Sequence, residues 1–271
     1  MSAPGFEARP LRPWHLGLLL VASSASTMCG IGGGLFAVPI LHFLLGLPLK
    51  LATATSLVAV FAMTLSGTLT EASHAGNALD WSAIGLLSAG ALLGAAIGQR
   101  VNARINPQAL TWVFAAALLI GGARVLATSM PADVADAPTL IVVTPLSALW
   151  LVAAGFGGGF VAPILGIGGG LIVVPALFLG IPGTSYLTAR ACSTAMSVVA
   201  SAQLTWLNLR AGRVHRPSML PFAAVTICGG WIGTSLVHLP GWSHGARIML
   251  GVLMLALSAK YTWRAARHRA Q

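Results

Sequence analysis

Acidic residues are nearly missing from this chain: five of its 271 residues are Asp or Glu, and charges of either sign make up 7%. A soluble domain carries roughly 25% charged residues, so an ordinary water-soluble fold is excluded. A carrier of metal cations is disfavoured as well, because it would want carboxylates inside the membrane. Glu71 and Asp80 are the acids near an apolar segment, and both stand close to a connection. Cysteine is scarce too. Cys29, Cys192 and Cys228 lie in apolar surroundings without the close spacing of metal ligands, which argues against a disulfide framework and a zinc site. A thiol role toward sulfur compounds is conceivable for Cys29 and Cys192, but a buried free cysteine usually behaves as a small hydrophobe. No nucleophile elbow and no His-rich metal motif occurs, so the chain is not expected to be an enzyme, and no cofactor or metal is expected.

What the chain has instead is apolar length. Hydrophobic residues make up 56% and the mean hydropathy is +0.86. Apolar segments run approximately 14–47, 51–72, 81–100, 107–128, 144–181, 186–209, 217–237 and 245–263. Runs of this length predict membrane-spanning helices of about 20 residues, where a barrel would show alternating strands of about 10. The expected fold class is all-α: a polytopic integral membrane protein of about eight transmembrane helices. Fifteen Lys and Arg give a formal charge of +10. They sit at chain ends and in short connections without a basic stripe, so they speak for orientation in the bilayer and against a nucleic-acid partner. With one crossing per segment, ten basic residues fall on the side of the termini and five opposite, which predicts cytoplasmic termini.

The chain repeats itself. "GIGGGLFAVP" at Gly30–Pro39 returns as "GIGGGLIVVP" at Gly166–Pro175, with eight of ten positions identical. "GLP" at 46–48 answers "GIP" at 180–182, "ATATS" at 52–56 answers "ARACS" at 189–193, Gly76 answers Gly212, and "AAIG" ending at Gly98 answers "GWIG" ending at Gly233. The division expected is a four-helix repeat over 1–128, a linker over 129–143 carrying Asp133 and Asp136, and a second four-helix repeat over 144–271. An N-terminal apolar run behind Arg9 and Arg12 resembles a signal peptide, but its counterpart from about Leu146 is internal. The first and fifth segments exceed 30 residues, too long for one helix across a hydrocarbon core of about 30 Å and too short for two comfortable ones. A broken or re-entrant helix fits, with its break at the glycines. Four crossings per half would relate the halves in parallel, and one further crossing per half would invert them.

Irregular backbone at membrane depth must be packed in protein or line a watery cavity. Transporters use such breaks to aim helix N-termini at anions near the midplane. Gly32, Gly33, Gly34, Gly168, Gly169 and Gly170 are therefore candidate substrate-binding residues; the plain alternative is close helix packing. Thr55, Ser56 and Ser193 add neutral hydroxyl donors, unless they bond to their own helix carbonyls. Arg190 beside them offers a planar fork for an oxyanion, unless it snorkels to the interface. His42, Gln203 and Asn208 are further polar candidates, each more often an interhelical contact.

The paired glycine motifs, "GLP" with "GIP" and "ATATS" with "ARACS", resemble the TauE/SafE sulfite exporter family, also called the toluene sulfonate uptake permease family, over about 14–264. The resemblance implies a polytopic protein of the bacterial inner membrane, built of duplicated four-helix units, that moves sulfite, a sulfonate or another sulfur-containing anion. The partners expected are that small anion, the lipid bilayer and, as one option, further copies of the chain in a homo-oligomer. A membrane scaffold is the competing class and would want larger extramembrane surfaces. The scarcity of acids and histidines for a proton relay favours export, since a membrane negative inside drives anions out. Proton-coupled uptake is the alternative.

Overall fold

A computed structural model describes residues 12–102 apart from Gly33, residues 138–239 and 242–267, and isolated helical positions between 112 and 127. Among the described residues the chain is all-helical. The helices are α1 (Pro13–Met28), α2 (Gly34–Pro39), which continues as a π-helical turn over Ile40–Leu44, α3 (Leu49–Ser73), α4 (Trp81–Val101), α5 (Pro145–Leu165), α6 (Gly170–Gly180), α7 (Tyr186–Arg210), α8 (Arg216–Val237) and α9 (Trp242–Arg267). α3, α4, α5 and α8 are each long and apolar enough to cross a membrane. At 1.5 Å per residue the 21 residues of α4 and of α5 match the hydrocarbon thickness. Leu92, Leu93 and Ile97 on α4 and Leu146 and Leu149 on α5 stay exposed, as a lipid-facing surface requires. Exposed Trp14 and Trp206 lie toward one end of the bundle and Trp81 and Trp242 toward the other, in the manner of interfacial aromatic belts.

Local chemistry fixes where the helices start. The Asp80 carboxylate caps α4 by accepting from Ser82 N (3.0 Å) and Ala83 N (3.1 Å), and its second oxygen accepts from Ile141 N at 2.8 Å. All of Asp80 is thereby structural. Thr144 and Ser147 form a capping box with Pro145 in the first turn of α5, and Ser185 caps α7 by accepting from Thr188 N.

Contacts between small residues give the directions. Gly90, Gly94 and Gly98 of α4 lie successively against the backbone at Val152–Phe156, Phe156–Phe160 and Phe160 of α5, while Gly155 and Gly159 of α5 lie against Leu87 and Ala91, so the two helices run parallel. α3 and α8 are parallel as well: Thr55 meets His215, Ser66 meets Ile227 and Glu71 meets His238. α3 and α7 run antiparallel, with Glu71 against Arg190. Each overlong segment of the sequence is a hairpin. α6 folds back along α5, with Gly169 against Gly158 and Trp150 Nε1 donating to Ala176 O at 2.8 Å. α2 and its π turn return along α1 to the end where α3 begins. The α1–α2 hairpin thus opens toward the end bearing Arg12, Lys50, Arg100, Arg210, Arg213 and Arg216, called the basic end here. The α5–α6 hairpin opens toward the opposite, far end. Each long segment therefore returns to the side it entered, where one crossing per segment was expected. Among the described helices, α3 and α4 of the first half run opposite to their counterparts α7 and α8 in the second.

Candidate functional site

The two glycine breaks cross in the interior, and they touch. Gly30, Gly32, Gly166, Gly168 and Gly169 all have positive φ, between 69° and 91°, a region that a side chain strongly disfavours. A Cβ on Gly34 would collide with the carbonyl oxygen of Gly166, and one on Gly170 with the carbonyl oxygen of Gly30. A Cβ on Gly32 would come 2.9 Å from Ile167 O. Gly169 faces Gly158 in its own hairpin, and Gly33 lies outside the described residues. So five of the six glycines named from the sequence can be placed, and Gly32, Gly34, Gly168 and Gly170 stand where one half meets the other.

The serines complete a two-fold pattern. Ser56 Oγ donates to Gly166 O at 3.1 Å, shared with Thr53 O at 2.8 Å, and Ser193 Oγ donates to Gly30 O at 2.9 Å. Each half's serine therefore ties down the other half's first motif glycine. Thr55 Oγ1 donates to its own helix at Leu51 O (2.7 Å) and accepts from His215 N (2.9 Å). Burial holds the pKa of His215, in the α7–α8 connection, below its usual 6.5. The three hydroxyls named from the sequence are thus engaged with backbone. Asn208 makes the expected interhelical contact, accepting from Gln99 Nε2 at 3.1 Å, and His42 Nδ1 lies 2.8 Å from Leu47 O.

The free hydroxyl at the crossing belongs to Ser197, which the sequence reading did not single out. It is fully buried, its Oγ has no hydrogen-bond partner, and that oxygen lies 3.7 Å from where Gly32 would carry a Cβ. Its own Cβ lies 3.6 Å from the same point on Gly168, so Ser197 touches both breaks. It is the twelfth of the 25 residues in α7, about halfway through the bundle. α6 starts at the same place, and the first-turn N–H groups of a helix have no partner within it. At the equivalent position of the first half stands Val60, whose Cγ1 lies 2.7 Å from where Gly168 would carry a Cβ. The crossing is two-fold in backbone but polar on one side.

Arg190 is neither a snorkelling residue nor a free fork. It is fully buried, and its guanidinium is paired with the Glu71 carboxylate, itself 1% exposed. Glu71 Oε2 also lies 2.9 Å from His238 Nε2, and Oε1 accepts from Ala78 N at 3.0 Å. His74 stacks on His238 with ring centroids 4.2 Å apart, and Arg190 Nε has no partner. Glu71 does stand close to a connection, two residues before the end of α3, but it is buried in this ion pair, which overturns the premise that buried carboxylates and histidines are lacking. The signal in the sequence was the coincidence of one acid and one guanidinium inside apolar segments.

At the basic end, the bundle opens into a cavity of about 510 Å³ between the starts of α3 and the ends of α4, α5 and α7. Lys50 and Arg213 stand in its wall, Gln99, Asn102 and Asn208 add amides, and among the described residues no acid lines it. Its inner wall includes Thr53, whose Cγ2 is 3.0 Å from where Gly166 would carry a Cβ, so the cavity ends at the crossing.

The family model for the sulfite exporter TauE/SafE matches residues 2–125 and 151–271. The chain belongs to the TauE/SafE family. Two relatives from Xylella fastidiosa are named "Probable membrane transporter protein": that of strain Temecula1 is 28% identical over 242 residues, 88% of this chain and 89% of the relative, and that of strain 9a5c is 27% identical with the same coverage. No solved structure matches. The chain is thus a member of a membrane-transporter family.

Proposed function

We propose that the protein is an alternating-access carrier for a small sulfur-containing anion, sulfite or a sulfonate, in the bacterial inner membrane. It is built as an inverted repeat, 1–128 and 144–271, each half opening on a re-entrant hairpin, joined by the linker 129–143, with both termini in the cytoplasm. The six described basic residues at the basic end, against Arg190 and Arg247 toward the far end, support that orientation. The observation that carries the reading is the crossing itself: a buried unpartnered hydroxyl, Ser197, lies beside a helix start, and Thr53 at the edge of the same break lines a cavity that, among the described residues, is walled by two cations and no acid. Neutral donors at the floor and cations at the mouth suit an oxyanion that must bind and leave again. Gly32, Gly34, Gly168 and Gly170 would let it approach the main chain, and Gly33 and Gly169 would shape the turns around it. Ser56 and Ser193 would hold the breaks, and Thr55 the connection at His215. Arg190 would meet the anion from the far side.

With nothing coupled, the membrane potential drives a monoanion outward by about 2.3 kcal/mol per 100 mV, so export needs no other source. A second reading, proton-coupled uptake, is favoured by Glu71 buried against His238. Proteoliposomes loaded with labelled sulfite, at equal pH and with a valinomycin-set potassium potential, test the first. Flux that follows the potential supports it, and absence of flux for sulfite, thiosulfate and a short alkylsulfonate alike overturns the carrier reading.

A further inference from the structure

α3 and α7 are both 25 residues long and start 137 positions apart, so Thr53 is the equivalent of Arg190, and Asn208 of Glu71. Thr53 and Asn208 line the open cavity at the basic end. Their equivalents at the far end form the buried ion pair. Where one end has a vestibule, the other has a guanidinium and a carboxylate filling the same place in the repeat. An inverted repeat exposes its two ends alternately by exchanging the conformations of its halves. The ion pair therefore closes a second vestibule, and it must part for the anion to pass.

We propose that the Glu71 carboxylate occupies on Arg190 the place of the transported oxyanion, and yields it on taking a proton from His238. This rests on the carrier reading and takes its second form, proton-coupled uptake, in place of uncoupled export. A carboxylate and a sulfur oxyanion offer a guanidinium the same pair of acceptor oxygens, so one can replace the other. A buried carboxylate released as an anion would be uncompensated at a cost of several kcal/mol, whereas released as the acid it is not. The proton donor is at hand: His238 Nε2 is 2.9 Å from the Glu71 oxygen that Arg190 holds. The proton moves from Nε2 to Oε2, the imidazole is left neutral, and it reloads from the far-end water through its 16% exposed edge beside His74.

The remaining groups around Glu71 are otherwise engaged. From the α3–α4 connection, His74 stacks on His238 and Asp80 is held by three N–H groups. From α7, Cys192 Sγ points to Asp80 O at 3.9 Å and Tyr186 donates to Met28 O at 2.7 Å. From the α1 break, Cys29 Sγ contacts Ala246 O at 3.7 Å, and on α9 Arg247 lies against His244. Glu71 and His238 are thus the pair placed to pass a proton next to Arg190. When the anion has left toward the basic end and Arg190 takes Glu71 back as the carboxylate, the Glu71 proton leaves by that same end, so each monoanion crosses with one proton and an acid exterior drives it inward.

The test uses the full chain in proteoliposomes with labelled sulfite at zero potential. Wild-type uptake should rise several-fold when the outside is made one pH unit more acid. Glu71→Gln should bring the ratio of uptake at acid to that at neutral outside pH down to about one, with sulfite–sulfite exchange, which needs no net proton movement, reporting separately that the variant is a folded carrier. His238→Gln leaves the ion pair in place and should slow the stimulated uptake while sparing exchange. Equal stimulation of wild type and both variants overturns the proton link and leaves the carrier reading standing. Exchange absent in the wild type overturns the carrier reading and the proposal with it.

Discussion

At the residue scale, two serines one turn apart make opposite predictions. Ser193 Oγ satisfies the Gly30 carbonyl inside the protein, so Ser193→Ala leaves that oxygen unpaired and should cost about 1–3 kcal/mol, read as a fall in the unfolding temperature in detergent. Ser197 Oγ satisfies nothing in the resting protein, so Ser197→Ala should leave the unfolding temperature unchanged or raised while weakening sulfite binding about tenfold, the loss of one good hydrogen bond. Equal effects of both variants on stability and binding would remove Ser197 from the site. Arg190→Ala strands the Glu71 carboxylate beside His238 and Ala78 N, and should destabilise by about 3–5 kcal/mol, with Arg190→Lys recovering part of it. Ser193 was legible because it falls inside a repeated block. Ser197 was not, because its counterpart is Val60 and a search for repeated polar residues passes over it. Glu71 was rightly placed near a connection, but its burial against Arg190 and His238 was not legible, since hydropathy places a residue along the chain and says nothing of what stands opposite.

At the level of elements, glycine does two jobs that sequence alone distinguishes poorly. In the breaks it supplies positive φ, and the duplication together with the overlong segments made this readable. On α4 it supplies closeness: the Gly90, Gly94, Gly98 spacing lets α5 lie directly against the backbone. Gly94→Ala puts a methyl into the Phe156 carbonyl and should destabilise by about 1–3 kcal/mol through overpacking. Gly85→Ala on the same helix meets open space and should instead stabilise by up to about 1 kcal/mol through helix propensity. Thermal unfolding of both variants checks the contrast, and a matching loss in the two would mean that α4 does not pack on α5 through this stripe. The hairpins show where sequence reasoning stops. Hydropathy gave the length of each segment, but the return of α6 along α5 is set by contacts such as Trp150 with Ala176, which have no periodic signature.

Across the whole molecule, the return of each hairpin decides the sidedness of every later helix. Counting one crossing for the first segment puts Lys50 and Arg100 opposite the termini; folding that segment back puts them on the same side, and the charge asymmetry sharpens. Arg12, Lys50, Arg100, Arg210, Arg213 and Arg216 then share the basic end, while Arg190 is consumed by Glu71. Positively charged connections stay in the cytoplasm, so the cavity with Lys50 and Arg213 should open inward and Ser73, exposed at the end of α3, should face outward. Single cysteines read this directly, in a background with the exposed Cys228 changed to Ser and the buried Cys29 and Cys192 retained. A membrane-impermeant maleimide should label Lys50→Cys and Arg213→Cys in inside-out vesicles and not in intact cells, and Ser73→Cys in intact cells. Added sulfite should slow labelling at Lys50→Cys and Arg213→Cys, which share the cavity, without changing it at Ser73→Cys. Labelling of Lys50→Cys and Ser73→Cys from the same side would contradict the crossing of α3, and labelling of Lys50→Cys from outside would reverse the molecule in the membrane and make its open cavity a port of entry.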